Sequence, residues 1–277
     1  MPYCIVLIIR KRAMGLSRTE VERYRDQGFL CPVPALTSAE AAQCMRELED
    51  LESRNGRNVL KSIRGKGHLI SLSLYKLVCH PAILDLVESI VGPNILVWNS
   101  SLFLKEPGDP AYVQWHQDVY DFGANSDAVV SVWVALLPST RENGAMRVIP
   151  GSWRQHHVQH VLSPPGAPTM IRDNLEIGVE VDETKAVDLL LEPGQISMHH
   201  MYTFHGSPPN RSANRRCGFA IRYVAPHVAN KGDPYAATVV RGTDPLGHFG
   251  KDPVPQRDLD AEIIGYVDRY GKPRLTK

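Results

Sequence analysis

At Gly92-Pro93 the chain changes texture. Beyond it come short runs rich in valine, isoleucine and aromatics, separated by Gly, Pro, Asn and Asp, which is how strands divided by turns read. The clearest are ILVWNSSLFL (95–104), AVVSVWVALL (128–137), AVDLLL (186–191), QISMHHMY (195–202) and CGFAIRYV (217–224). Ahead of the break the signals are helical. Ser17 with Glu20 and Thr37 with Glu40 form capping boxes, in which each pair closes the free N–H groups of a first turn. Ala41, Cys44, Met45, Leu48 and Leu51 then recur at three and four residue intervals, the spacing of an amphipathic helix. Pro81 suits the first turn of a further helix that carries Ile83, Leu84, Leu86, Val87 and Ile90 inward and stops at Gly92-Pro93. Strands gathered at one end and helices at the other predict a mainly β fold with flanking helices, a sandwich or jelly roll rather than an alternating α/β sheet.

A length of 277 residues suits one large β domain. Residues 1–16 are expected to form an N-terminal extension, and 17–277 a single domain. Within it we expect a helical part over about 17–92, a core over about 93–226, and a loop-rich C-terminal segment, 227–277, able to cover a mouth of the barrel. The apolar run Cys4 to Ile9 precedes Arg10, Lys11 and Arg12. That is the reverse of a secretory signal and far short of the roughly 20 apolar residues a spanning helix needs. Met14 is then an alternative start.

Lysine plus arginine number 31 and aspartate plus glutamate 30, a net charge of +1. So balanced a chain has no global field to recruit nucleic acid or an anionic membrane, which leaves a small-molecule partner as the expectation and specifies no oligomeric state. The 5 cysteines are scattered and lack a C-x-x-C pair. That argues against a disulfide framework and a zinc knuckle, and predicts a reducing cytoplasm.

The chemistry is concentrated in WHQD, 115–118. On an extended chain alternate side chains share a face, so His116 and Asp118 project together and Gln117 turns away. Two imidazoles and one carboxylate on one face are what a non-haem Fe(II) site requires, so one distant histidine is missing. An H-x-D pair alone is a weak motif. It gains weight from GQISMHHMYTFHGSPPNRSANRRCGFAIRYV (194–224), where His205 ends a strand and Arg216 opens the next. His199 and His200 are rival ligands, and the HGS-x-x-N-x-S context favours His205. His156, His157, His160, His227 and His248 read as surface or supporting residues.

With WHQD, VSVWVAL (130–136), ENGAMRVIPGSW (142–153), HGSPPNRS (205–212) and RYV (222–224) in this order, about half the chain resembles the phytanoyl-CoA dioxygenase family of Fe(II)/2-oxoglutarate oxygenases. The resemblance implies a double-stranded β-helix, a cupin-like jelly roll, with iron on His116, Asp118 and His205. It further implies that Arg216, eleven residues beyond His205, pairs with the far carboxylate of 2-oxoglutarate. A guanidinium fork suits that task. Arg215, facing the other way, and Arg211, in a turn, are the rivals.

Ser207 and Trp133 resemble cosubstrate-pocket positions, although Trp133 also reads as core. Lys105 resembles a lysine that some members use on the cosubstrate, against the rule that lysines stay solvated. Asn99, Ser101 and Phe103 on one strand face, with Gln114 ahead of His116, are candidate substrate contacts. The implied reaction consumes 2-oxoglutarate and O2, releases succinate and CO2, and oxidises an unactivated C–H of a small metabolite. Halogenating relatives carry a small residue at the carboxylate position, so Asp118 argues for hydroxylation. Desaturation, cyclisation and epimerisation use the same chemistry. The rival classes are a jelly-roll enzyme using another metal, such as a zinc hydrolase or a cupin-type isomerase, and a non-catalytic ligand-binding protein.

Overall fold

The computed structural model describes residues 15–118, 128–171, 174–228 and 235–270. Most of the expected N-terminal extension, residues 1–14, lies outside them. Both capping boxes form. Ser17 and Glu20 open α1 (Arg18–Gln27), and Thr37 and Glu40 open α2 (Ser38–Asn55), with each N-cap N–H donating to its glutamate. The residues that α2 buries are the five its spacing singles out. Between these helices lies β1 (Phe29–Pro34), inside the part read as helical. Its prolines conceal it in sequence, but it is the edge strand of its sheet, where a missing N–H breaks no ladder. Three short helices follow, α3 (Val59–Ser62), α4 (Gly67–Ile70) and α5 (Leu72–Val78), then α6 (Pro81–Val91) with Pro81 in its first turn.

From Ile95 the chain alternates between two sheets whose strands in this stretch pair antiparallel. The larger takes β2 (Ile95–Lys105), the smaller β3 (Val113–His116), the larger β4 (Val129–Ala135) and the smaller β5 (Met146–Val148). After a side hairpin of β6 (His160–Leu162) and β7 (Leu175–Ile177), β8 (Val187–Leu189) returns to the smaller sheet, β9 (Gln195–His200) to the larger, β10 (His205–Ser207) to the smaller and β11 (Arg216–Val224) to the larger. This alternation is a double-stranded β-helix. The outer face of the larger sheet, through Leu102, Val132, Met198 and Phe219, joins the helices in one apolar core with Leu48, Leu74 and Ile83. Its inner face meets the smaller sheet through Phe29, Trp133, Met146, Val148, Leu189 and Ala220.

The C-terminal segment is more ordered than its loop-like sequence suggests. It holds β12 (Ala236–Arg241), which pairs antiparallel with β2, then β13 (Gly250–Lys251) and α7 (Ala261–Tyr270). Val228, Ala237 and Phe249 pack on Trp98 and Met201. A buried polar knot ties this segment to the helical layer. Lys66 Nζ donates to Asp252 at 2.8 Å and to the Ala236 carbonyl at 2.7 Å, while Thr238 and Tyr266 also donate to Asp252.

Candidate metal centre

His116 ends β3 directly opposite His205 on β10, so antiparallel pairing alone brings the two rings together, with centroids 4.0 Å apart. Each Nδ1 faces a main-chain carbonyl, His116 that of Gln114 at 2.9 Å and His205 that of Thr203 at 3.0 Å. A carbonyl can only accept, so each Nδ1 carries the hydrogen and each Nε2 presents a lone pair inward. Both Nε2 atoms lie 3.8 Å from Asp118 Oδ1. That separation leaves room for a cation between them, and the donor atoms of these three buried residues all fall within 4.8 Å of one another.

Burial pushes the His116 pKa down to about 4 and that of His205 well below its ordinary value, so both rings are neutral. For Asp118 burial acts upward, but the Arg222 guanidinium and the hydrogen bond from His199 outweigh it and hold the carboxyl well below the usual range. Two neutral imidazoles and an ionised carboxylate form the donor set that suits a divalent transition metal, Fe(II) included.

The second oxygen of Asp118 is also occupied, by Ser131 Oγ and by His199 Nε2 at 3.1 Å. His199, weighed in sequence as a rival ligand, is thus a neighbour of the carboxylate. His200 lies against Trp153 instead, with ring centroids 5.1 Å apart. Gln117 turns away as expected, and its amide nitrogen donates to the carbonyls of His156 and Tyr202. His160 accepts the Gln117 N–H at 3.3 Å, while His156, His157, His227 and His248 are exposed.

Arg216 lies on the inner face in register with Lys105, buried, its guanidinium 5.0 Å from the Trp133 ring centroid and its Nη1 on the Gly144 carbonyl. Its Nε has no partner among the described residues. Lys105 corrects the expectation of a solvated lysine. It is fully buried, and its Nζ donates to Ser207 Oγ at 2.7 Å and to the Pro208 carbonyl. Burial, then the neighbouring Arg216 charge, lowers its pKa to about 6. Trp133 is both core and wall, and it fits because position 218 is glycine: a Cβ there would sit 1.8 Å from its ring. Arg215 faces away onto Glu106 and Glu52, and Arg211 is exposed.

The substrate candidates divide. Phe103 lines the cleft with His116, His205, Trp133 and Arg216, and carries the Arg64 guanidinium 4.5 Å from its ring centroid. Asn99 is opposite Arg222 on β11 but is not part of the cleft wall. Ser101 accepts the Gly65 N–H at 3.1 Å and so tethers the turn before α4. Gln114 does not share the metal face. The register slips between Val113 and His116, and a bulge breaks strict alternation, so Val113 lines the cleft and Gln114 a separate cavity of about 440 Å³. Sequence reasoning missed Arg222, although it lies six residues beyond Arg216 on one strand, an even spacing that puts both on one face.

A model of the family described as phytanoyl-CoA dioxygenase matches residues 24–218. A probable alpha-ketoglutarate-dependent hypophosphite dioxygenase of Stutzerimonas stutzeri is 31% identical over 73% of this chain and 76% of its own length. Human peroxisomal phytanoyl-CoA dioxygenase is 26% identical over 71% of this chain and 54% of that protein. Among solved structures, the apo form of the non-heme monooxygenase ThoJ superposes with a TM-score of 0.77 at 35% identity, covering 92% of this chain and 95% of that one.

These findings correct the expected cytoplasmic placement, since the human, bovine and rat relatives are named as peroxisomal. Cysteine usage separates oxidising from reducing surroundings and does not choose among the reducing ones. Among the described residues, no helix is long and apolar enough to cross a membrane.

Proposed function

The chain belongs to the phytanoyl-CoA dioxygenase family, and from that membership we propose that His116, Asp118 and His205 hold Fe(II) while Arg216, Lys105, Ser207 and Trp133 hold 2-oxoglutarate. The reaction is hydroxylation of a C–H of a small molecule: substrate, 2-oxoglutarate and O2 give hydroxylated substrate, succinate and CO2. The observation that carries this reading is a buried pair of basic side chains, Arg216 and Lys105, facing each other across β2 and β11 with no carboxylate among the described residues bonded to either. A buried guanidinium without an acid is costly, and a buried amine beside it can take up a proton when an acid arrives. A dicarboxylic cosubstrate reaching from the metal supplies the missing charge.

Bound Fe(II) with 2-oxoglutarate and O2 supplies the oxidising power, and the protein's share is placement and dryness. Gln114 and Thr203 fix the two imidazoles through their carbonyls, Ser131 and His199 fix Asp118, and Trp133 walls off Arg216. The helical layer and the jelly roll are proposed to act as one domain, which their shared apolar core supports.

The test is an anaerobic titration with Fe(II), then 2-oxoglutarate, following the weak visible charge-transfer band of a chelated keto acid. The band is expected in the wild type. Arg216→Met is expected to weaken 2-oxoglutarate binding about a hundredfold, the scale of losing two charged hydrogen bonds. No band with iron bound points to another jelly-roll metalloenzyme; no metal binding points to a ligand-binding protein.

Lys105 adds a second expected result. Its pKa of about 6 leaves it largely deprotonated at pH 7.5, and an incoming carboxylate favours the charged form. Binding of 2-oxoglutarate is therefore expected to take up about one proton, measurable by calorimetry in buffers of different ionisation enthalpy. Lys105→Met should abolish the uptake.

A further inference from the structure

We infer that the substrate of this site is a small acid whose anionic group is held by Arg222, with a hydroxyl or an amine beside that group meeting Nδ1 of His199. The inference rests on the Fe(II) and 2-oxoglutarate reading above and goes beyond it to the substrate class. Arg222 shares the inner face of β11 with Arg216 and lines the cleft beside His116 and His205. Its side chain is 11% exposed, and among the described residues its only hydrogen bond is from Nη2 to Asp118 Oδ1, at 2.5 Å. A guanidinium carries five N–H donors. Most of this one is left for a ligand.

The charge of the cleft points the same way. A divalent ion and the two carboxylates of 2-oxoglutarate cancel. What remains among the described residues is Arg216 and Arg222 against the single carboxylate of Asp118, with Lys105 behind them and Arg64 over Phe103 at the rim. The loaded site is therefore net positive. A substrate with no anionic group would leave the guanidinium of Arg222 without an acid of its own, whereas a carboxylate on the substrate supplies one.

His199 supplies the second half of the argument. Its Nε2 lies 3.1 Å from Asp118 Oδ2. A carboxylate oxygen faces Nε2, so Nε2 carries a hydrogen, and Nδ1 is the other polar atom of the ring. Nδ1 is buried and has no partner among the described residues, and a buried polar atom normally has one. A hydroxyl or an amine on the substrate, next to its acid group, satisfies it. Val113, Met146, Ala220 and Phe103 give the lining an apolar part, which suits a short carbon skeleton.

The full chain, loaded anaerobically with Fe(II) and 2-oxoglutarate, is titrated with matched probes: L-proline and L-prolinamide, L-leucine and L-leucinamide, lactate and lactamide. Substrate arriving beside the metal shifts the charge-transfer band, so binding is read without turnover. Acids are expected to shift it at concentrations at least about tenfold below their amides, the scale of one charge-assisted hydrogen bond. Arg222→Gln is expected to erase this preference and Arg222→Lys to retain part of it.

Amides that act as well as their acids, acids that shift nothing, or a preference that survives Arg222→Gln each overturn the substrate class. Should Arg222→Gln lose iron, the comparison within the wild type and Arg222→Lys decides. A wild-type protein that never forms the band overturns the cosubstrate reading, and the inference falls with it; a band that forms and ignores every acid overturns the inference alone.

Discussion

Asp118→Ala is expected to abolish turnover and to weaken iron binding by on the order of a thousandfold, since losing a residue that merely supports a ligand already costs about 10–100-fold. Removing this carboxylate does more than delete one donor. It strips Arg222 of its only hydrogen-bond partner among the described residues and frees His199 and Ser131. A dication would then sit beside an uncompensated guanidinium. Asp118→Asn keeps the shape and a polar group but not the charge, and is expected to fail almost as completely.

The fold needs its own control, because an unpaired buried Arg222 destabilises the metal-free protein as well. The double variant Asp118→Ala with Arg222→Met should regain most of the metal-free stability in urea denaturation while iron binding and activity stay lost. Wild-type iron affinity in Asp118→Ala would remove this carboxylate from the metal centre.

How far the site is legible in sequence depends on whether local alternation survives in the fold. His116 and Asp118 are two residues apart and do share the cluster; His205 is singled out by its HGS-x-x-N-x-S context, and antiparallel pairing then sets it opposite His116. Arg216 is legible through the resemblance, which implies an arginine eleven residues beyond His205, and it does open β11 on the inner face with Arg215 turned onto Glu106. Gln114 fails because the bulge beside it inverts the parity of β3, and nothing in VQWH announces a bulge.

Lys105 is misread for a different reason. A lysine is usually solvated, and its burial follows from a partner on β10, about a hundred residues away in sequence, that no local pattern reveals. The helices are read well where capping boxes mark them. The strand FLCPVP is hidden by its prolines, and β12 with α7 by the loop-like residues around them, although Asp252 draws that segment into the core.

Asp252→Ala is expected to destabilise the protein by about 3–5 kcal/mol, the cost of breaking a buried ion pair by removing one partner, with no direct effect on the metal cluster. The side chains of Lys66 and Asp252 are 3% and 0% exposed, so water cannot replace the lost carboxylate. Thr238 and Tyr266 lose the same acceptor, and His68, which bonds Thr238, is loosened with them.

Burial already lowers the Lys66 pKa despite the attraction of Asp252, and without that attraction it falls further. The unfolded chain then binds more protons than the folded one over the interval up to the ordinary lysine range, so stability rises with pH there. The deficit against wild type should accordingly be largest near neutral pH and shrink under alkaline conditions. Urea denaturation at two pH values checks both points, and Lys66→Met with Asp252→Leu should recover most of the loss by removing both charges together. A deficit that is small, or that grows as pH rises, would mean that Lys66 meets water once Asp252 is gone, and that β12 and α7 are held by their apolar contacts instead.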